Sequence, residues 1–286
     1  MFSASSISEF TQAPCVALYS NYAQMSRIVK TSCQYFKYVV FFRIMKTLII
    51  IPAYNEALNL PGVVGDIRFN CPEADILAVN DCSFDNTLEV LEELDIPFLN
   101  LPVNLGIGGA VQSGFKYAVD NGYDIAVQFD GDGQHDASYI SALVGPVAAG
   151  NADMTVGSRF IDNQGFQSSA MRRFGINFLS GLIKSLSGSD IKDVTSGMRA
   201  FSRPLFTYFA GNYAQDYPEP EAVLSAGLIG AEIVEIPVVM KERQNGKSSI
   251  SSFGSIYYML KVTLSLIFSR FFSKSGCARF DSPDFG

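Results

Sequence analysis

The stretch IAVQFDGDGQHD, residues 125–136, joins an apolar run directly to a turn that contains three aspartates and two glycines. The apolar run, Ile125–Phe129, predicts a buried β-strand, because it is short, rich in β-branched and aromatic residues, and ends at turn residues. In parallel sheets, ligands bind beyond the carboxyl ends of the strands. The stretch therefore predicts both a central strand and a functional site directly after it.

The chain on both sides of this stretch alternates short apolar runs with longer amphipathic segments. Such an alternation predicts an α/β fold with a mostly parallel sheet, flanked by helices and joined by right-handed crossovers. The predicted strands are Thr47–Ile51, Ile76–Asn80, Ile125–Phe129 and Met154–Val156, and the predicted helices are Leu58–Phe69, Asn86–Leu94, Gly109–Asp120 and Ser138–Ala149.

Composition and charge limit the classes of protein that fit. With 286 residues and 48% hydrophobic content, the chain can bury one large core. Its net charge of -7 disfavours a partner nucleic acid, because neutralising phosphates requires clustered lysine and arginine. The five cysteines are scattered without a CxxC pair, which disfavours a disulfide framework or a zinc site and favours a reducing compartment. His135 is the single histidine, so carboxylates must carry the chemistry.

The segment 1–44 precedes the first predicted strand and does not show its pattern. It contains seven serines, four basic residues and one acidic residue. A targeting presequence and an extension upstream of a start at Met45 both fit this composition, and we favour the extension because the apolar run Tyr38–Phe42 is too short for a signal sequence or a membrane span. We therefore predict a folded domain over 45–250, with an apolar helix and tail over 251–286.

Asp130 and Asp132 are the strongest candidates for a metal site. Two carboxylates at i and i+2 on a glycine-rich turn offer hard oxygen ligands, which suit Mg2+ or Mn2+ and leave positions open for phosphate oxygens. A calcium loop of the EF-hand type fits less well, because its sixth position requires glycine and here carries His135 or Ala137. A polar turn with helix caps is the remaining alternative.

Polar residues also follow the other predicted strands. The sequence PAYNE, residues 52–56, offers an aromatic face and a carboxylate to a planar base, although an ordinary strand-to-helix turn fits equally well. Asp81 follows the next strand as a candidate ligand of a base or a ribose, and Asp85 is a more suitable helix cap. The segment 104–110, NLGIGGA, opens a helix, and its glycines would let the backbone approach a phosphate or ribose; it lacks the dinucleotide fingerprint.

These motifs, together with GSRF at 157–160, resemble glycosyltransferase family 2, particularly its dolichol-phosphate (polyprenyl-phosphate) mannosyltransferase-like branch, from about 46 to 250. The resemblance implies the GT-A fold and a metal held by Asp130, Asp132 and Gln134. Asn80 and Cys82 depart from the family pattern, which bears on nucleotide selectivity. The predicted nucleotide-sugar-binding residues are Pro52, Ala53, Tyr54, Glu56, Val79, Asp81, Asn104, Gly106, Asp130, Gly131 and Asp132.

The second half of the chain offers candidates for the acceptor side. Four basic residues are predicted to bind an acceptor phosphate, with surface charges as the alternative: Arg159, Arg199, Arg243 and Lys247. Glu221 stands before an apolar helix, where some relatives place a general base. A phosphate acceptor needs no base, so we rank Glu221 below Asp130 and Asp132 as a catalytic residue; a charge that complements the helix N-terminus is equally compatible.

Two apolar segments, Met171–Leu186 and Phe253–Phe272, predict helices that lie in a membrane interface, with a buried core helix as the alternative. Lys261 near the middle of the second argues against a membrane span. We thus expect an inverting, metal-dependent enzyme, cytoplasmic and peripheral on the inner face of a membrane, that moves a hexose from a UDP- or GDP-sugar to a polyprenyl phosphate or another lipid-linked or glycan acceptor. A nucleotidyltransferase and a noncatalytic nucleotide-sugar-binding module are the alternatives.

Overall fold

The computed structural model describes residues 45–162, 170–241 and 254–272. Within this part of the chain, seven strands form one sheet in the order β3-β2-β1-β4-β6-β5-β7. The strands are β1 Thr47–Ala53, β2 Asp75–Asn80, β3 Phe98–Asn100, β4 Ile125–Gln128, β5 Met154–Ser158, β6 Arg199–Ser202 and β7 Ile233–Pro237.

The helices pack on the sheet and on one another. They are α1 Leu60–Asn70, α2 Thr87–Glu93, α3 Gly106–Asp120, α4 Ile140–Ala148, α5 Ala170–Ser187, α6 Arg203–Asn212, α7 Pro218–Ile229 and α8 Gly254–Phe272, and a 3-10 turn at Ala137–Tyr139 precedes α4. Every helix predicted from the periodicity of apolar residues is present. The largest difference in a boundary is at α3, which begins at Gly106 rather than Gly109.

The central strands are buried on both faces. In β1, the residues Leu48, Ile49, Ile50 and Ile51 are at most 1% exposed, as expected for a strand covered by helices on both sides. On one face, an aromatic cluster between α3 and α6 centres on Phe115, whose ring lies 5.0 Å from that of Phe201 and 5.2 Å from that of Tyr213. This core fixes the edge of the sheet at which polar side chains collect.

The sheet is mostly parallel, as predicted, but β6 is antiparallel to both of its neighbours, β4 and β5. The periodicity did not predict β3, β6 or β7, which are short or less apolar. Because β6 runs in the opposite direction, its first residue, Arg199, lies at the same edge as the carboxyl ends of β4 and β5 and pairs with Gln128 and Val156. A loop that precedes β6 therefore joins the predicted functional edge.

The two predicted apolar segments form α5 and α8, which contact each other and α7. No helix among residues 45–162, 170–241 and 254–272 is both long and apolar enough to cross a membrane. The segment 1–44, like the residues of the tail after 272, lies outside the described residues, and the proposed domain boundaries stay predictions.

Candidate active site

The loops that follow β1 and β2 are joined by hydrogen bonds from backbone to side chain. The N–H of Asn55 donates to Ser83 Oγ at 2.9 Å, and the N–H of Glu56 donates to Thr87 Oγ1 at 3.0 Å. In return, Asn55 Oδ1 accepts the N–H of Phe84 at 2.8 Å. Adjacent parallel strands bring these loops side by side, and the bonds then fix their shape before any ligand binds.

Asn55 has a left-handed backbone conformation with φ of 57°. Asparagine tolerates this region better than most residues, so its place in the turn follows from the backbone as well as from its hydrogen bonds. The turn presents Tyr54, 44% exposed, whose ring meets that of Phe84 edge to face at 6.3 Å. Pro52 and Glu56 are half-buried beside it, and Ala53 is buried, so Pro52, Tyr54 and Glu56 can still border a base.

Asp81 is buried and anchors the third loop of this edge. Its Oδ1 accepts the N–H of Leu105 at 2.7 Å, and its carbonyl accepts Asn104 Nδ2 at 3.2 Å. Gly106 has φ of 75° and donates to Asn104 Oδ1 at 3.1 Å. The structure thus brings together Asp81, Asn104 and Gly106, three of the predicted nucleotide-sugar-binding residues.

Two other residues of the predicted nucleotide side, Val79 and Gly108, pack against the protein itself. Val79 lies in β2 with its side chain fully buried in the core, so only its backbone reaches the edge. Gly108 lies against the backbone of Gln215, since a Cβ there would stand 2.6 Å from the Gln215 carbonyl oxygen. Another stretch of chain thus fills the space beside the Gly108 Cα, and the approach of a phosphate or a ribose to the glycines of this segment stays a prediction.

The loop after β4 carries the predicted metal ligands. Gly131 lies against the end of β1, where a Cβ would stand 3.1 Å from the Pro52 carbonyl oxygen. Asp132 Oδ1 accepts the N–H of Gln134 at 3.0 Å, which closes the turn. Gln134 is tied to the chain after β7, since its carbonyl accepts the N–H of Lys241 at 2.8 Å. The loop of residues 130–136, the predicted metal loop, is therefore held between β1 and the chain that follows β7.

The two carboxylate oxygens of Asp130 have different surroundings. Its Oδ2 lies 3.3 Å from His135 Nε2, whereas its Oδ1 is buried without a hydrogen-bond partner. Burial opposes ionisation, but the hydrogen bond and charge of His135, the nearby side-chain amide of Gln128 and the charge of Arg199 together hold the pKa of Asp130 below its ordinary value. A buried, ionised carboxylate oxygen without a donor fits a divalent cation as its missing partner.

The set of donors here is small. Among the residues that the structure describes, no group of three or more His, Cys, Asp or Glu side chains is arranged around a common metal position. Asp130, Asp132 and the amide of Gln134 would therefore hold a cation through few protein ligands. Such a site suits Mg2+ or Mn2+, which complete their coordination with water and phosphate oxygens.

Two of the predicted acceptor residues are engaged within the protein. Arg159 forms a bidentate ion pair with buried Asp193, with Nε and Nη2 each 2.6 Å from a carboxylate oxygen. Arg199 is fully buried and donates to three backbone carbonyls, those of Val194, Ser196 and Glu219. These locations differ from the expected contact with an acceptor, because neither guanidinium is solvent-facing. The other two, Arg243 and Lys247, lie outside the described residues.

Glu221 also differs from its prediction. Its carboxylate accepts hydrogen bonds from Ser265 Oγ at 2.7 Å and Ser269 Oγ at 3.3 Å, so it joins α7 to α8. The neighbouring Glu219 is influenced by charges of the candidate site: burial raises its pKa to about 7, opposed by the charge of Arg199 and reinforced by that of Asp130. The sequence placed both acids in one short run, and only the direction of α7 separates their roles.

Sequence reasoning missed several residues of this edge, namely Asp193, Gly197, Glu219 and Lys241. Asp193 and Gly197 lie within six residues before the predicted acceptor residue Arg199, so their neighbourhood was the one sequence signal that could have pointed to them. Lys241 Nζ lies 3.2 Å from Asp136 Oδ2, so it braces the far end of the metal loop. No periodicity in the sequence points to this contact, because it joins residues more than a hundred positions apart.

Comparison with known proteins agrees with this geometry. The family described as glycosyl transferase family 2 matches residues 48–209. The chain is 31% identical over 236 residues to polyprenol monophosphomannose synthase of Mycolicibacterium smegmatis, covering 76% of this chain and 85% of that protein. It is 29% identical over 216 residues to undecaprenyl-phosphate mannosyltransferase of Micrococcus luteus, covering 72% of this chain and 88% of that protein.

A solved structure shares the architecture. Glucosyl-3-phosphoglycerate synthase from Mycobacterium tuberculosis, crystallised with Mn2+, uridine diphosphate and glucosyl-3-phosphoglycerate, superposes with a TM-score of 0.59 at 18% identity, over 79% of this chain and 80% of that one. At this level of identity the likeness establishes the fold, which is the predicted GT-A fold. The family match over most of the sheet and the extent of both alignments show that this chain belongs to glycosyl transferase family 2.

Proposed function

We propose that this protein transfers a hexose from a UDP- or GDP-linked sugar to a polyprenyl phosphate, with inversion at the anomeric carbon. The observation that carries the proposal is the position of Asp130 and Asp132 at the carboxyl end of β4, beside the loops after β1 and β2. The two relatives named above are described as enzymes of polyprenyl phosphate mannosylation.

The nucleotide side of the proposed reaction uses the interlocked loops. Tyr54 and Pro52 cover a base, Glu56 and Asp81 accept hydrogen bonds from it or from the ribose, and the loop of Asn104 and Gly106 borders the ribose. The hydrogen bonds between these loops hold their shape without ligand, so binding does not require them to fold.

Asp130, Asp132 and Gln134 would hold Mg2+ or Mn2+. When bound, such a cation neutralises the charge that develops on the departing diphosphate. The protein's own contribution is to keep the Asp130 carboxylate ionised through His135 and to fix Asp132 by its bond to the Gln134 N–H. Through the cation, these residues would orient the diphosphate of the sugar donor.

The acceptor in this proposal is already a nucleophile. A phosphate monoester has its second pKa near 6, so most of it is doubly ionised at neutral pH and attacks without a general base. The engagement of Glu221 with two serines of α8 supports a reaction without a base at that position. Binding of the acceptor phosphate falls to Arg243 and Lys247, which stay predicted.

An apolar stripe on α8 supports a membrane-bound acceptor. Leu260, Leu264, Phe268 and Phe271 are each more than half exposed, and their spacing of three and four residues puts them on one face of the helix. Lys261 and Arg270 lie exposed on the same helix, and Phe174 and Phe178 are exposed on neighbouring α5. We propose that this stripe lies in the interface of an anionic membrane, on its cytoplasmic face.

The decisive experiment measures turnover of Asp132→Ala with UDP- and GDP-hexoses and undecaprenyl phosphate. We expect kcat to fall at least about 100-fold, because a diphosphate leaving group then lacks its counterion. Asp120→Ala, an exposed aspartate at the end of α3, serves as the control and should match the wild type. Near wild-type turnover by Asp132→Ala would overturn the assigned role.

The products and the membrane contact are tested separately. Release of nucleoside diphosphate and an inverted anomer in the lipid product supports the proposal, whereas release of pyrophosphate identifies a nucleotidyltransferase. For the membrane, Phe268→Ser should weaken cosedimentation with anionic vesicles, and Phe69→Ser, at a phenylalanine on α1 that is more exposed (86% against 54%), should not. Equal cosedimentation of the two variants would contradict the proposed membrane face.

A further inference from the structure

The antiparallel strand β6 places a glycine opposite the predicted metal ligand Asp130. In the register of β4 and β6, Gln128 pairs with Arg199. Carrying that register two residues further puts Gly197 opposite Asp130. Residues that face each other across an antiparallel pair project to the same side, so a side chain at position 197 would enter the space of the Asp130 carboxylate.

The distances confirm this conflict. A Cβ built on Gly197 would stand 2.6 Å from both Cγ and Oδ1 of Asp130, and closer still to Oδ2. Real Cβ atoms essentially never approach another atom to less than 3.0 Å. Gly197 does not have a left-handed φ, so the backbone conformation does not require glycine here. The lack of space beside Asp130 is what requires it.

The turn that carries Gly197 cannot easily withdraw. Arg199 is fully buried, and its Nε and Nη2 donate to the carbonyls of Ser196 and Val194 at 2.7 and 2.9 Å. Its Nη1 donates to the carbonyl of Glu219 at 2.7 Å, which ties the turn to the start of α7. Withdrawal of the turn would strip hydrogen bonds from a buried guanidinium, which is more costly than shifting one carboxylate.

Asp130 is therefore confined on two sides, by the turn of Gly197 and by His135. The carboxylate keeps one orientation, in which Oδ1 is the oxygen that lacks a donor. We infer that Gly197 is a positioning residue for the metal site: the absence of a side chain, with the turn anchored by Arg199, sets the orientation in which Asp130 receives the cation. This inference rests on the proposed metal role of Asp130.

A double-mutant cycle tests the contact without reference to the metal. Gly197→Ala should lower the Tm by about 5 °C or more in EDTA, because either the turn or the carboxylate must move. In the background of Asp130→Ala, which removes the carboxylate, the same substitution should lower the Tm by less than about 1 °C. If Gly197→Ala alone fails to fold, recovery of folding in the double variant supports the contact. Equal losses in both backgrounds would overturn it.

The matched control is Gly145→Ala on α4, where a Cβ meets no atom within 4 Å. This substitution should leave the Tm unchanged or raise it slightly, since alanine favours a helix more than glycine does. It should also leave Mn2+ binding and turnover unchanged, which separates the effect of position 197 from that of replacing any glycine.

Calorimetry tests the consequence for the cation. With the nucleoside diphosphate that binds the wild type, UDP or GDP, Gly197→Ala should bind Mn2+ at least about 10-fold more weakly. Its binding of the same nucleotide in EDTA should stay within about 2-fold of the wild type, because the loops that hold the base lie on other strands. Equal Mn2+ affinity in the wild type and Gly197→Ala would overturn the inference, whereas a wild type whose nucleotide binding ignores Mn2+ would overturn the proposed metal role itself.

Discussion

The two sides of the sheet's functional edge are held together by different forces. On the nucleotide side, the loops after β1 and β2 exchange hydrogen bonds between backbone groups and small polar side chains such as Ser83 and Thr87. On the side that the sequence predicts as the acceptor side, around β5 and β6, the connections are made by buried charges: Arg159 pairs with Asp193, and Arg199 donates to backbone carbonyls.

This difference predicts how each side responds to substitution. Removing one partner of a neutral hydrogen bond near the surface costs about 1 kcal/mol, since water can replace it. Removing one partner of a buried ion pair leaves a charge without compensation and costs several times more. The nucleotide side should therefore tolerate single changes, and the acceptor side should not.

The largest effect is expected at Asp193. Asp193→Ala leaves the Arg159 guanidinium buried without its carboxylate, so we expect a loss of about 3–5 kcal/mol in the free energy of unfolding, measured by urea denaturation. Asp190→Ala is the matched control, because its ion pair with Lys184 is exposed and should contribute less than about 1 kcal/mol. Similar losses in both variants would remove the contrast between the two sides.

Glu219 should give the next largest effect, and one that depends on pH. Burial raises its pKa from 4.5 to about 7, so the native state binds more protons than the unfolded chain across that window. The stability that Glu219 contributes is therefore lost as pH rises from 4.5 through 7. Glu219→Gln stays neutral, so its stability relative to the wild type should rise over the same window, by at most about 3 kcal/mol.

Urea denaturation in EDTA between pH 5 and pH 8 measures this trend. Glu232→Gln is the control, because it makes the same substitution at an exposed glutamate before β7 and should show no such dependence on pH. If the free energies of unfolding of Glu219→Gln and the wild type differed by the same amount at all pH values, the surroundings of Glu219 would not raise its pKa.

Substitution of Asn55, on the nucleotide side, should have an intermediate effect on stability. Asn55→Ala loses the bond to the Phe84 N–H and must also adopt the left-handed φ of 57°, so we expect a loss of about 2 kcal/mol in stability and weaker binding of UDP or GDP. Asn55→Gly loses the bond but tolerates the φ, and should lose about half as much. If Asn55→Ala and Asn55→Gly were both as stable as the wild type, the hydrogen bonds between the two loops would not be what fixes the shape of the loops.

The smallest effect is expected at Glu221, which the sequence had offered as a base. Glu221→Gln should lower the free energy of unfolding by about 1 kcal/mol or less, because its bonds to Ser265 and Ser269 are partly exposed and an amide oxygen can still accept one. Steady-state kcat should stay within about 2-fold of the wild type. A loss of 100-fold or more in kcat would restore Glu221 as a base and remove the distinction from Glu219.

The alternation of apolar runs and turns predicted four strands and the helices between them, because residues of each such element are neighbours in the chain. The GT-A fold was implied by the resemblance to glycosyltransferase family 2. The same reasoning placed Asp81 and Asp130 at strand ends, and the structure brings both to one edge of the sheet. β6 was not predicted, because it has only four residues and one of them is Arg199. An arginine usually indicates a position at the surface, whereas Arg199 is buried.

What the sequence determined by itself was thus the local pattern: the parallel strands, the turns after them and the acidic residues that those turns present. Only the tertiary structure decided which charges serve the site and which serve the fold. Gly197 meets Asp130 because β6 runs antiparallel to β4, and Glu221 turns from the site because α7 packs on α8. Such contacts join residues distant in the chain, and their existence depends on burial and direction, which the order of residues alone does not specify.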